Sequence, residues 1–295
     1  MPQAFMIRKT RLQSKAFALK PGQPLKSGRI ETFISASDWL HNHRGIAVYL
    51  PPGYDAGQGY YPVLYMHDGN NLFDPQLAFG GQPWWVQHVL NRLISLQFLP
   101  PLLVVGVYNT MGRNHEYTWT RMRTRWGEEG GQGPQYARYL TQELMPVIQQ
   151  RYRIMQGPEY TGVLGSSLGG LISFYLGLHY PHVFGRIGMM SPSLWWNRGE
   201  ALQDAWHYPA GQRLWLDMGT REGGRKLRVD RNPNILNTRR LKQVLQQRGY
   251  REGQDLAYLE DRGALHNEWW WGQRLHLPLL FFWGSASARR LILKG

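Results

Sequence analysis

The chain contains no cysteine. Disulfides, thiolate metal sites and a cysteine nucleophile are therefore excluded, although this absence does not choose a compartment. No uninterrupted apolar run reaches the roughly eighteen residues that a membrane-spanning helix needs. The start of the chain, residues 1–9, lacks the apolar core of about 7–15 residues that follows the basic end of a secretory signal. The expectation is a cytoplasmic protein with no membrane partner.

Acidic residues are also scarce, with 20 Asp and Glu against 34 Lys and Arg and a net charge of +14. Such a balance raises the question of nucleic-acid binding, so where the charge sits matters more than its size. Residues 1–30 carry seven cations and no acid, residues 221–251 carry ten against two, and the last seven residues carry three. The remainder is mildly acidic. The positive excess belongs to the ends and one late segment, which reads as a solvated basic face in preference to a nucleic-acid site.

What the chain has is 42% apolar residues and an alternation of buried-strand and helix patterns. Strand-like runs at 28–35 and 45–50 suggest an opening antiparallel hairpin. Continuous apolar runs follow at 62–66, 102–107, 160–164, 186–190, 212–218 and 256–260, the pattern of strands covered on both faces. Helical patterns lie between them at 84–96, 136–152 (with Pro146 as a kink), 168–178 and 234–248, and a Trp-rich helix closes the chain. Residues 109–133 form a long polar loop, which at that length is expected to belong to a binding rim. The organisation predicted is a basic arm over 1–26, one α/β domain over 27–284 and a tail over 285–295. Its sheet is mostly parallel, with helices on both faces.

Ligands of such a sheet bind beyond the carboxyl ends of its strands, and the polar clusters of this chain fall at those ends. Gly165-Ser166-Ser167-Leu168-Gly169 stands between an apolar strand and an apolar helix, the arrangement of a nucleophile elbow whose small flanking residues let strand and helix approach. A serine hydroxyl needs a histidine to take its proton and a carboxylate to orient that histidine, in the chain order Ser, acid, His. Only His266 and His276 follow Glu222. His266 lies in a loop after the last strand and is preferred; His276 lies inside a helical segment. For the acid, Glu222 follows a Gly-Thr turn and is preferred to Asp217, which lies within its strand, with Asp255 and Asp261 as further alternatives. The oxyanion hole is expected from the backbone N–H groups of Leu168 and Asn70.

These stretches together resemble the esterase branch of the α/β-hydrolase superfamily, which includes enterochelin, feruloyl and acetyl-xylan esterases and S-formylglutathione hydrolase. The resemblance runs from about Arg44 to Trp283. It rests on Tyr-Leu-Pro-Pro-Gly-Tyr at 49–54, His-Asp-Gly-Asn-Asn-Leu-Phe-Asp at 67–74, Asn109 with Arg113, Glu116, Tyr117 and Thr118, and Glu-Leu-Met-Pro-Val-Ile at 143–148. Gly-Ser-Ser-Leu-Gly-Gly at 165–170, Met-Ser-Pro-Ser-Leu-Trp-Trp at 190–196, Gly-Thr-Arg-Glu at 219–222 and His-Asn-Glu at 266–268 complete it. It implies serine ester hydrolysis without a metal or cofactor, with Ser167, Glu222 and His266 on the triad positions. Some members of the family have Asp where this chain has Glu222.

The substrate expected is a small-molecule or sugar-linked ester, with His67, Asp68, Trp119, Trp195 and Trp196 on its rim. Trp84, Trp85, Trp126 and Trp269 to Trp271 are further aromatic candidates, and core packing explains many of these tryptophans equally well. Two other functions remain open at this point: a non-catalytic binding or scaffold protein on a hydrolase fold, and an anionic-surface or nucleic-acid binder acting through its basic segments. His41 and His43 lack a third ligand and are read as ordinary surface histidines.

Overall fold

In the computed structural model the described residues are 6–7, 17–20, 22–125, 127–223 and 228–294. Eight strands form the central sheet: β1 (Arg29–Ser37), β2 (Asn42–Leu50), β3 (Val63–His67), β4 (Leu103–Val107), β5 (Thr161–Ser166), β6 (Arg186–Met190), β7 (Arg213–Gly219) and β8 (Leu256–Asp261). Their order across the sheet is β8-β7-β6-β5-β3-β4-β2-β1. The hairpin β1–β2 is antiparallel, and β2 joins β4 antiparallel. From β4 to β8 every pairing is parallel. The expected mixed sheet with an opening hairpin is thus the one observed.

Both faces of the parallel part are covered, which is why its strands read as unbroken apolar runs rather than alternating ones. Successive side chains still point to opposite faces. Val63, Tyr65, Val105, Val163, Ile187, Met189 and Leu216 enter one core, with the helices Leu168–His179 and Pro233–Gln247 and the helical stretch from Gly133 to Arg151. Leu64, Met66, Val104, Leu164, Met190 and Trp215 enter the other, with the helices Val86–Ser95 and His276–Trp283. The kink expected at Pro146 is a π-helical turn over Tyr139–Leu144, just before the proline. Proline offers no N–H, and its ring crowds the preceding turn, so the ladder loosens there.

Three expectations change in this frame. The segment 285–295, read as a tail, forms a helix over Ala286–Ile292 that buries Ala288 and Ile292 against the second core, and Leu293–Lys294 pairs with Met6–Ile7. Within residues 1–26, read as an arm, Phe17 is fully buried and packs edge-on against Phe98 and His276. The loop 109–133 is not structureless: it holds a helical turn, Arg113–Glu116, and a hairpin, Arg121–Thr124 with Gly127–Gly130. Part of the basic excess is neutralised locally. On the helix Pro233–Gln247, Arg239 makes two hydrogen bonds to Glu260 at 2.7 and 2.8 Å, and Lys242 lies 2.7 Å from Glu252. Among the described residues no helix is long and apolar enough to cross a membrane.

Candidate active site

Because β3 and β5 to β8 run parallel, their carboxyl ends share one edge of the sheet, and each delivers a polar residue there. Three of these residues have left-handed backbone: Asp68 after β3 (φ 55°), Ser167 after β5 (φ 58°) and Ser191 after β6 (φ 44°). Non-glycine residues in this region are strained, and strain of this kind gathers where a site must be held in shape. Ser167, with ψ −122°, turns the chain from β5 into the helix Leu168–His179. A β-carbon added at Gly165 would lie 2.6 Å from the backbone carbonyl of Gly169, so strand and helix can cross here only if position 165 carries no side chain. Gly165→Ala should therefore cost about 3 kcal/mol or more, the upper end of overpacking penalties, because backbone cannot yield as a side chain can. The midpoint of denaturant unfolding measures it.

His266 reaches this turn from the loop after β8. Its Nε2 lies 2.9 Å from Ser167 Oγ, and its Nδ1 lies 2.7 Å from Glu222 Oε2. The imidazole is 41% exposed while the carboxylate is fully buried, so the pair spans from solvent to interior. Ser193 Oγ is a second neighbour of Ser167 Oγ, at 3.2 Å. Glu222 also accepts the Gly219 N–H (2.8 Å) and the Ser191 hydroxyl (2.6 Å) on Oε1. Gly219 allows this approach, since a β-carbon there would stand 2.5 Å from Glu222 Oε1. Burial would favour the neutral acid, but the hydrogen bond and charge of His266, the charge of Arg274 and the Ser191 hydroxyl outweigh it. The Glu222 carboxyl is held below its usual range.

The other acids and the other histidine lie elsewhere. Asp217 is fully buried, accepting from Arg274 (2.8 Å), Trp215 Nε1 (2.7 Å) and the Ser191 N–H (3.1 Å). Its burial pushes the carboxyl up, against the pull of Arg274. Asp261 stands 3.6 Å from the same guanidinium. Asp255 precedes β8, at the opposite edge of the sheet, and its carboxylate accepts the Arg251 N–H. His276 is buried in its helix beside Phe17.

Across from the elbow, β3 ends in His67 and is followed by Asp68, both read as rim residues. The structure puts them beneath the surface. His67 is 2% exposed, its Nδ1 is 2.8 Å from the Tyr136 hydroxyl, and burial pushes its pKa down to about 3, so it is a neutral core imidazole. Asp68 is 5% exposed and receives two hydrogen bonds from Arg113 (2.6 and 2.8 Å) and one from Asn109 (2.7 Å). Burial alone would raise its pKa; the Arg113 charge and these bonds hold it low. The pair ties the loop after β4 to the loop after β3. Asn70 follows, half-buried, in the helical turn Gly69–Asn71, and Leu168 opens its own helix. Both N–H groups stand in the first turn of a helix, where i−4 acceptors are lacking.

The tryptophan candidates separate by whether the indole N–H has found an acceptor. Trp196 is 5% exposed and donates to the Thr120 carbonyl (3.1 Å), so it packs under the hairpin rather than facing a substrate. Trp119 is half-buried, stacked near Phe174 and Tyr175, and donates to Asp204 (3.0 Å). Trp195, 49% exposed, remains open to solvent. Trp84 and Trp271 are buried against each other, and Trp85 and Trp269 border a cleft of about 400 Å³. Trp126 lies outside the described residues. Among the described residues, no three His, Asp or Glu side chains form a group that could hold a metal.

Sequence reasoning passed over Arg274 and gave Ser191 and Trp271 no part in holding the acid; in the structure Ser191 bonds Glu222, and both Trp271 and Arg274 bond Ser191. Arg274 carried a usable signal: a cation between a Trp-rich stretch and the apolar run 275–283 is expected to be paired when buried.

The sequence matches the family described as "Putative esterase" over residues 37–282. It is 31% identical to the uncharacterized protein YbbA of Bacillus subtilis (strain 168) over 237 residues, covering 79% of this chain and 90% of that one. It is 29% identical to the iron(III) enterobactin esterase of Escherichia coli (strain K12) over 162 residues, covering 51% of this chain and only 37% of the relative. The enterobactin esterase FES of Shigella flexneri superposes with a TM-score of 0.67 at 24% identity, over 86% of this chain and 59% of that one. This chain belongs to the Putative esterase family, ester hydrolases built on the α/β-hydrolase fold.

Proposed function

We propose that this protein hydrolyses carboxylic esters through an acyl-serine intermediate on Ser167. The observation that carries the reading is the unbroken chain from Ser167 Oγ to His266 Nε2 (2.9 Å) and from His266 Nδ1 to Glu222 Oε2 (2.7 Å). Glu222, anionic and buried, requires the Nδ1–H tautomer of His266, which leaves Nε2 free to take the serine proton. Ser167 Oγ attacks the ester carbonyl, and the oxyanion is received by the N–H groups of Leu168 and Asn70. His266 then returns the proton to the departing alcohol. Water, deprotonated by the same imidazole, releases the acid and restores the serine.

The esterases among its relatives act on enterobactin, so the substrate class we infer is a small-molecule ester, with exposed Trp195, two residues after Ser193, to cover an aromatic or sugar portion. A fluorophosphonate probe should label the protein, and Ser167→Ala should abolish labelling. Equal labelling of both would remove Ser167 from the mechanism. Hydrolysis of a panel of aryl, short-acyl and sugar-linked esters then ranks the substrate.

A further inference from the structure

Behind the acid of the proposed triad, four polar side chains meet without access to solvent. Ser191, Glu222, Trp271 and Arg274 are at most 4% exposed. Ser191 Oγ receives the indole N–H of Trp271 at 3.0 Å and the Arg274 guanidinium at 2.7 Å, and it lies 2.6 Å from Glu222 Oε1. A hydroxyl has one proton and two lone pairs, while an indole N–H and a guanidinium can only donate. Both lone pairs of Ser191 are thus taken by donors, and the proton has one acceptor left within reach, Glu222.

We propose that Ser191 is a positioning residue for ester hydrolysis: its hydroxyl, locked in one orientation by Trp271 and Arg274, fixes the Glu222 carboxylate that orients His266. This rests on the reading of Ser167, His266 and Glu222 as the triad. Three donors then hold the acid, the Ser191 O–H and the Gly219 N–H on Oε1 and the imidazole on Oε2. Rotation of the carboxylate about its last bond would break two or more of these bonds at once. Arg274 stays 3.7 Å from Glu222 and donates to Asp217, Ser191 and the Trp270 carbonyl, so it reaches the triad acid by hydrogen bond only through the serine.

The charged groups around this point come from several elements. They are His266 from the loop after β8, Asp217 on β7, Asp261 at the end of β8, Arg274 on the last Trp-rich turn, and Glu268 beside His266. Removing the Ser191 hydroxyl leaves all of them in place. It withdraws one donor from Oε1, which concentrates charge on the carboxylate and strengthens its pairing with a protonated imidazole.

The test compares Ser191→Ala with the unmodified protein and with Ser167→Ala. Ser191→Ala should lower kcat by about 10- to 100-fold, the usual cost of losing an orienting outer partner, with KM nearly unchanged. The acid limb of kcat/KM should move up by about 0.5 to 1 pH unit, as loss of a hydrogen bond to a charged group implies. A role in packing alone would lower activity or stability without moving that limb. A folded Ser191→Ala with unchanged kcat and an unmoved limb, beside an inactive Ser167→Ala, overturns the positioning role alone. Activity retained in Ser167→Ala overturns the triad reading itself. In the unmodified protein the locked hydroxyl should give a slowly exchanging Ser191 proton in the NMR spectrum. A freely exchanging one overturns the proposal even if the alanine variant does not fold.

Discussion

Ser167→Ala and His266→Ala are each expected to lower kcat for ester hydrolysis by about 10⁵- to 10⁶-fold, and the double variant should be no slower than the worse single one. The reason is that the two side chains act as one unit. At 2.9 Å the imidazole is placed to take the hydroxyl proton as the oxygen attacks, and neither partner does this alone. Whatever activity remains should come from substrate held against the N–H groups of Leu168 and Asn70, with water as the nucleophile. Steady-state rates on one good ester substrate, with the enzyme repurified to exclude contaminating esterase, measure both variants. Multiplicative losses would mean that serine and histidine contribute independently, and would argue for a water-attack mechanism in place of an acyl-enzyme.

The sequence shows the frame of this site because the frame is local. An apolar strand, two glycines around a serine and an apolar helix are contiguous in the chain, and their close crossing is written in the absence of side chains at 165 and 169. The parallel run of the strands, and therefore the arrival of His266 and Glu222 at the same edge, follows from the pattern of buried runs. What could not be read is which polar residue faces outward. His67 and Trp196 stand next to site loops in the sequence, yet each is buried with a ring nitrogen bonded to a distant partner, the Tyr136 hydroxyl in one case and the Thr120 carbonyl in the other. The same holds for 285–295, whose polar sequence conceals two positions that pack into a core built elsewhere. Ser191 and Arg274 are 83 positions apart, and no local pattern joins them. Only the fold brings the strand end and the closing helix around Glu222.

Glu222→Gln is expected to lower kcat by about 10⁴-fold, the loss seen when a triad acid becomes an amide, while Asp217→Asn should affect the folded enzyme far less. The geometry explains why glutamine cannot adapt. The position of Oε1 faces two donors, the Ser191 hydroxyl and the Gly219 N–H, so an amide NH₂ is refused there and must point to His266. It would then donate to Nδ1 and force the proton onto Nε2, where His266 can no longer accept from Ser167. Protein stability should fall only modestly, since the side chain keeps its volume. Asp217 presents the opposite case. Its contacts are Arg274, Trp215 and the Ser191 N–H, and none is the imidazole. An asparagine there removes the charge opposite a buried guanidinium, which costs about 3–5 kcal/mol of stability when a buried pair is broken. Thermal unfolding beside kcat therefore separates the two carboxylates. Glu222→Gln should lose rate and keep stability, and Asp217→Asn should lose stability and keep most of its rate. The reverse pattern would assign the acid role to Asp217 and would require the His266 ring to turn from the partner it now holds at 2.7 Å.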